Sequence, residues 1–409
     1  MTREDIITTA FQVWGRQFYQ STSLTAIAQA LHVSKPALYR HFKNKNDLLD
    51  AMHRRFFDAY AAYIKPFYDA AVTKRKSEGI LIIIRAMATF YARNEDFSIF
   101  FLIQIYGNSA METMGRRLQE RGVDMSRYHT GYVQTSRFVV ATLTFILACF
   151  HRQRALAGDG KKPVVDEEIK KLTDFTAEIV LYGLRFEKTK IDALDYEGIE
   201  KKAKSVPVAG EKNHLLKAIA SALAESGPWG VSIQEIAQKS GLSKSSLYCH
   251  FENKRDMIIK FFVNEFERLI AFAEEGKRLS EEPEEQLYII MNVIANYLLS
   301  APDILSALDW LKTRIAISPL GKQNLVASGG GGGACGADSG SLHFSALFAD
   351  VIPLNEYSAM THHLILFLII NTLMSRKEQT EISGQDGSNL RLLYRFVTLG
   401  IDLSRAYAG

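Results

Sequence analysis

Apolar residues recur along almost the whole chain at three- and four-residue steps, while period-two alternation is scarce, so the pattern predicts helices throughout. Ile6, Ile7, Ala10, Phe11 and Trp14 share one face of a first helix. Ile27, Ala28 and Leu31 mark the inward side of a second, from about Thr25 to Leu31. A third starts near Ser34 and ends near Phe42. A fourth opens after Asn44, passes through Phe56, Phe57 and Tyr60, and is expected to kink or end near Pro66, which lacks an N–H and crowds the preceding turn. Longer periodic stretches follow at 80–91, 97–106, 132–157 and 167–184, and later at 285–299, 304–317, 342–351, 357–375 and 389–406.

The start signals agree with these boundaries. Ser34 and Ser243 stand where a third helix needs its N-cap, and Asn44-x-x-Asp47 and Asn253-x-x-Asp256 open the fourth helix in the manner of a capping box. Ser232-x-x-Glu235 is a full box, whereas Ala26 stands where the first copy would need that glutamate.

The pattern is written twice. Residues 34–48, SKPALYRHFKNKNDL, recur 209 positions later as 243–257, SKSSLYCHFENKRDM, with nine of fifteen positions identical. The same offset aligns Ile27-Ala28-Gln29 with Ile236-Ala237-Gln238, and Ser23 with Ser232. Near the ends of the copies, Ile179-Val-Leu-Tyr-Gly183-Leu resembles Phe396-Val-Thr-Leu-Gly400-Ile. With 409 residues, each copy is long enough to bury a core of its own. The expected architecture is all-α, in two tandem units. Residues 1–60 form a first head and 61–190 a first larger helical region. Residues 191–212 form a linker, 213–270 a second head and 271–409 a second larger helical region. Residues 187–213 are charged and contain Pro207 and Gly210, as a connector would.

Composition narrows the function. The chain is 47% hydrophobic and 23% charged, which is ordinary for a globular protein, and its net charge is +4. Charge is unevenly placed: Arg3, Arg16, Lys35, Arg40, Lys43 and Lys45 face only Glu4 and Asp5 in the first 45 residues, while Glu225, Glu235 and Glu252 balance the matching segment of the second copy. A basic leading segment suits a polyanion. Cys149, Cys249 and Cys335 lie far apart and form no ligand pattern, as expected of reduced cytoplasmic thiols. The opening MTREDIITT has no apolar run of a signal peptide. The longest apolar run, 138–150, is thirteen residues and too short to span a bilayer, so no membrane partner is expected. The glycine-rich stretch 328–341 reads as a flexible loop and lacks the Gly-Lys-Ser/Thr ending of a phosphate-binding loop. No nucleophile-base spacing, paired carboxylates or metal-ligand cluster stands out, so no enzyme, metal or cofactor is expected.

Two helices crossing at a tight turn need residues of particular size. Ala28 and Ala237 are small where the third helix crosses the second. Four residues on, Gly241 suits a left-handed turn, and His32 meets the same demand at some steric cost. Val33 and Leu38, or Leu242 and Leu247, then pin the third helix. The run Ile27-Ala-Gln-Ala-Leu-His-Val-Ser-Lys-Pro-Ala-Leu-Tyr-Arg-His-Phe-Lys-Asn-Lys45, with its repeat from Ile236 to Lys254, resembles the helix-turn-helix of the tetracycline-repressor (TetR) family of bacterial transcription regulators. The resemblance covers about residues 5–60 and 214–270.

It implies that the third helix of each copy enters a major groove. Ser34, Lys35, Tyr39 and His41, with Ser243, Lys244, Tyr248 and His250, would contact phosphates or groove walls. Lys45 and Lys254 would touch the backbone at a helix N-terminus. Pro36, Ala37 and Arg40 would face bases in one head and Ser245, Ser246 and Cys249 in the other. Tyr39 also reads as a core tyrosine with its hydroxyl at the surface, and Arg40 either as a bidentate partner of guanine or as a solvated cation. Phe18 departs from the family's glycine at the end of the first helix, where the second copy has Gly227; Glu252 and Cys249 depart by charge.

The expected partners are a double-stranded DNA operator with unlike half-sites and an unidentified small-molecule effector that releases a repressor. The chain would act as a monomeric pseudo-dimer or as a homodimer, with the late helices of the two copies packed as a four-helix bundle. The effector's binding residues are not legible: Tyr91, Phe97, Phe100, Phe101, Tyr106, Phe138 and Phe145 read as core more readily than as pocket, and His362-His363 as structural more readily than as metal-binding. The competing reading is a helical interaction or architectural protein with weakened DNA binding.

Overall fold

The computed structural model describes residues 2–14, 23–102, 110–128, 133–160, 162–208, 213–317, 346–348, 350–352, 358–379 and 386–401. Among these residues there is no strand. The all-α class is therefore right. Phe18, Tyr106 and the glycine-rich stretch 328–341 lie outside the described residues. Two compact units divide the chain: the first comprises the residues up to Leu181 and a later segment starting at Thr313, and the second runs from Tyr182 to Lys312 and resumes up to Ile401.

In the first unit the helices are α1 (Arg3–Trp14), α2 (Leu24–Ala30), α3 (Lys35–Tyr39), α4 (Lys45–Val72), α5 (Lys76–Arg93), α6 (Glu95–Phe100), α7 (Ala110–Gln119), α8 (Val133–Leu156) and α9 (Asp166–Tyr182). Of the expected kink or end at Pro66, the end does not occur: α4 continues to Val72. Packing outweighs the lost backbone bond. Ile64 and Ala71 are buried on either side of the proline, and Tyr63 packs on both Phe67 and Phe90 at 5.4 Å between ring centroids.

The aromatic residues of α4 to α6 lie ring against ring. Phe11 of α1 meets Phe97 and Phe100 edge-on, each at 5.0 Å, and Phe56 stacks on Tyr60 at 5.8 Å. Phe90 lies 4.9 Å from Tyr60, and Phe101 lies 5.2 Å from Tyr91. Phe138 and Phe145 of α8 are buried as well. These rings are core, and they tie the head to the helices beyond it. His151 of α8 is buried with Nε2 3.0 Å from the Tyr91 carbonyl oxygen, and burial pushes its pKa down to about 4. Arg154 staples the turn between α8 and α9, donating to both carboxylate oxygens of Glu168 and to the carbonyls of Asp159 and Lys162.

The second unit contains α10 (Lys188–Asp192), α11 (Tyr196–Ser205), α12 (His214–Gly230), α13 (Ile233–Ser240), α14 (Lys244–His250), α15 (Lys254–Lys277), α16 (Pro283–Ser300), the part of α17 (Pro302–Ile317) up to Lys312, α18 (Ser358–Gln379) and α19 (Asp386–Leu399). The connector is the main surprise, because α10 and α11 are docked helices. Ile191, Ile199 and Ala203 are buried, and Tyr196 stands edge-on to Tyr288 of α16 at 5.2 Å. Glu200 accepts from the Tyr288 hydroxyl (2.7 Å) and from Arg391 of α19 (3.0 Å), while Arg395 pairs with Asp192 at 2.6 Å. A few apolar residues among many charges hid this amphipathic face from the sequence reading.

Elsewhere in this unit the Tyr297 hydroxyl donates to the fully buried Glu265 at 2.5 Å, joining α16 to α15. Backbone N–H groups of Leu184 and Phe186 donate to the carbonyls of Val397 (2.8 Å) and Thr398 (3.2 Å). His362 is buried, stacks on Phe348 at 5.1 Å and 14°, and has no hydrogen-bond partner for either ring nitrogen among the described residues. Burial lowers its pKa to about 4. No group of three or more His, Cys, Asp or Glu among the described residues is placed to hold a metal ion. No single described helix is long and apolar enough to cross a membrane; α16 with the start of α17 passes that test only as a pair bent by 106°.

Candidate nucleic-acid interface

In the first head, α1 and α2 bury Ile6, Ala10, Phe11, Leu24, Ile27 and Ala28, and α3 is pinned onto them by Leu38 and Phe42, each 1% exposed. Ala28 sits at the crossing, and the Val33 N–H donates to its carbonyl at 2.9 Å. The turn passes through His32 with φ 53°, the left-handed conformation that its place in the motif demands. The α3 helix is shorter than the sequence suggests, ending at Tyr39. Ser34 occupies the N-cap in extended conformation, but its side chain makes no cap hydrogen bond. Asn44 does cap α4, its side chain accepting from the Asp47 N–H at 2.9 Å.

The second head has the same plan with different bracing, since the first instead pairs Arg55 with Glu4 and Arg3 with Asp47. Gly241 takes the left-handed turn at φ 65°. Ser232 and Glu235 complete the capping box of α13, and Glu235 also accepts from Ser226 at 2.8 Å. Lys239 reaches Glu225 at 2.7 Å. Ser243 caps α14 by accepting from the Ser246 N–H at 3.0 Å, and its hydroxyl meets that of Ser246 at 2.8 Å. Asn253 caps α15 through the Asp256 N–H at 2.9 Å. Gly227 has φ 66° and ψ 168° inside α12, and a Cβ there would lie 3.0 Å from the Trp310 ring.

These scaffolds carry the sequence-derived residues as follows. Ser34, Lys35, Pro36, Tyr39 and Arg40 are exposed, and Ala37, His41 and Lys45 are half-buried. Ser243, Lys244, Ser245, Tyr248, Cys249 and His250 are exposed, and Ser246 and Lys254 are half-buried. Tyr39 is 47% and Tyr248 52% exposed, which places them outside the core. Each set lies on or beside one short helix and the N-terminus of the next. Partial burial lowers the pKa of both Lys45 and Lys254.

Three contacts around this surface were not foreseen, although Arg3 itself was counted among the leading cations. The Arg3 guanidinium lies 4.6 Å from the Phe42 ring centroid and 3.8 Å from Asp47. Gln234 accepts from the Lys244 ammonium at 3.2 Å. Trp310 buttresses Gly227. Arg3 and Gln234 are exposed polar positions without periodic signal, and Trp310 is remote in sequence, so nothing along the chain announces these contacts.

A family model described as bacterial regulatory proteins, tetR family, matches this chain twice, at residues 6–52 and 215–260. Two segments of the chain, one in each head, therefore carry the tetR-family pattern. Each TetR match spans α1 to the start of α4 in the first head and α12 to the start of α15 in the second. The solved structure of the transcriptional regulator FadR from Bacillus subtilis, in complex with stearoyl-CoA, is similar at 13% identity over 46% of this chain and 98% of that one, with a TM-score of 0.33, a likeness too slight to bear on function.

Proposed function

We propose that this regulator is a repressor that binds an operator with two unlike half-sites through both heads of one polypeptide, and that a small molecule releases it. The observation that carries this reading is the pair of exposed third helices with different outward residues, Pro36, Ala37 and Arg40 on one and Ser245, Ser246 and Cys249 on the other. An internal pseudo-dimer is also supported by the corresponding closing glycines, Gly183 and Gly400: a Cβ on the first would lie 2.6 Å from the backbone nitrogen of the second. Both belong to the second compact unit. Effector release acts as a population shift and requires the ligand to bind the released form more tightly than the DNA-bound form.

Selection of binding sequences from a random DNA pool tests the operator, and light scattering tests the assembly. The expected results are a bipartite site with dissimilar halves and a particle of 46.0 kDa. A perfect palindrome bound by a particle of twice that mass rejects the pseudo-dimer. The architectural reading draws on Glu252 and Cys249, which lower the charge of the second head. It predicts binding of equal strength to every duplex offered.

A further inference from the structure

The two heads differ in how their cations are used as well as in sequence. On the first, Lys35, Arg40 and Lys43 are exposed and have no ion-pair or hydrogen-bond partner for their side chains among the described residues. On the second, Lys244 is held by Gln234 at 3.2 Å, Cys249 stands in place of Arg40, and Glu252 in place of Lys43. Residues 34–45 carry four cations and no anion, whereas 243–254 carry Lys244, Lys254 and Glu252.

Scaffolding differs as well: the first head ties α1 to α4 through ion pairs, Glu4 with Arg55 and Arg3 with Asp47, whereas the second relies on caps and its turn. The left-handed turn is a histidine in the first head and a glycine in the second. The third-helix cap bond is present only in the second. Its α13 carries the full capping box, and Lys239 bridges to Glu225. Ser245, Tyr248 and Cys249 are then presented on a braced helix with exposed, neutral side chains.

From this contrast we infer that the heads divide the work of binding, so that the chain sits on DNA in one orientation only. The first head is the electrostatic anchor. It supplies most of the counterion release, which is long-ranged and indifferent to sequence, together with Arg40 as its base-reading group. The second head is a weakly charged reader whose hydroxyl and thiol groups act only after close approach. A symmetric homodimer has no such polarity, because its two heads are interchangeable. Here exchanging the half-sites would put the anchor and the reader on the wrong sequences, so the operator has a direction and the protein shows a fixed side to whatever lies next along the DNA.

This rests on the proposed sequence-specific binding of one chain to two half-sites, and the experiment separates the two ideas. The wild type, Arg40→Ala and Ser245→Ala are each used to select sequences from a random duplex pool. Salt dependence of affinity is then measured for the wild type, for Lys35→Gln/Arg40→Gln/Lys43→Gln together, and for Lys244→Gln. Circular dichroism of each variant confirms that it is folded.

The expected result is that Arg40→Ala relaxes the bases of one half-site and Ser245→Ala those of the other. Neutralising the three first-head cations lowers the slope of log K against log salt by about 2–3, and Lys244→Gln lowers it by about 1 or less. If Arg40→Ala relaxes both halves of a palindrome, or if Lys244→Gln and the triple variant change the slope equally, directional binding is overturned while sequence-specific regulation stands. If the wild type selects no sequence at all, the repressor reading itself falls, and this inference with it.

Discussion

The two heads are built on fifteen-residue stretches identical at nine positions, and they differ in what surrounds those shared residues. The first keeps free cations on its outward face but turns through His32 and leaves Ser34 without a cap bond. The second turns through Gly241, closes a capping box at Ser232 and Glu235, caps α14 with Ser243, and braces α13 through Lys239 and Glu225. Charge for contact and bonds for rigidity have been distributed unequally between copies. The duplicated element shares a small set of buried positions, Ile27/Ile236, Ala28/Ala237, Leu38/Leu247 and Phe42/Phe251, and among its outward positions some are identical, as Lys35/Lys244 and Tyr39/Tyr248, while others differ, as Arg40/Cys249 and Lys43/Glu252.

The sharpest way to break the comparison is at Gly227. Its dihedral angles suit only glycine, and any side chain meets the Trp310 ring. Gly227→Val is expected to destabilise the second head by about 3 kcal/mol or more while sparing the first. Two-step urea unfolding followed by intrinsic fluorescence would show the second unit melting early; a single unshifted transition refutes it.

Acidification is the next largest effect and should not discriminate between units. His151 in the first unit and His362 in the second are both buried with pKa values pushed down to about 4. The unfolded chain takes up a proton on each near the ordinary histidine value of about 6.5, whereas the folded chain does not. Stability contributed by the neutral rings is therefore whole above about pH 6.5 and is lost as pH falls toward 4, by up to about 3 kcal/mol for His151. Thermal melts at pH 7.5 and 5.0 should show a lower midpoint at pH 5.0, with His151→Gln reducing the difference; equal midpoints would contradict the burial of these rings.

Smaller changes sharpen the contrast in scaffolding. Glu235→Ala removes one arm of the capping box and the Ser226 bond, and should cost about 1 kcal/mol in the second unit by chemical denaturation. The equivalent first-head position is already Ala26, so Ala26→Glu should recover part of a similar amount there. His32→Gly relieves a left-handed side chain and should stabilise the first head by about 0.5 kcal/mol, the gain being limited by the greater freedom of glycine in the unfolded chain. A loss of stability in His32→Gly would mean that the imidazole makes a contact worth more than the strain.

Much of this was legible along the chain because helical periodicity, capping residues and the left-handed turn are local properties. The Asn44 and Asn253 caps, the Ser232 box and the conformation at His32 each follow from a residue and its neighbours within four positions, and each is found in the structure. Where local preference met distant packing, the sequence misled. Pro66 was expected to kink or end α4, but the helix runs on past it to Val72, with Tyr63, Phe67 and Phe90 packed around it.

The repeat, the all-α class and the position of the two third helices were thus determined by sequence, since they depend on spacing along one strand of text. Only the tertiary structure decided that the charged connector docks through Tyr196 and Glu200, that Trp310 closes on Gly227, and that Gln234 takes hold of Lys244. Those contacts join helices whose meeting depends on the summed packing of the unit, and no residue's own preference encodes its partner across such a distance.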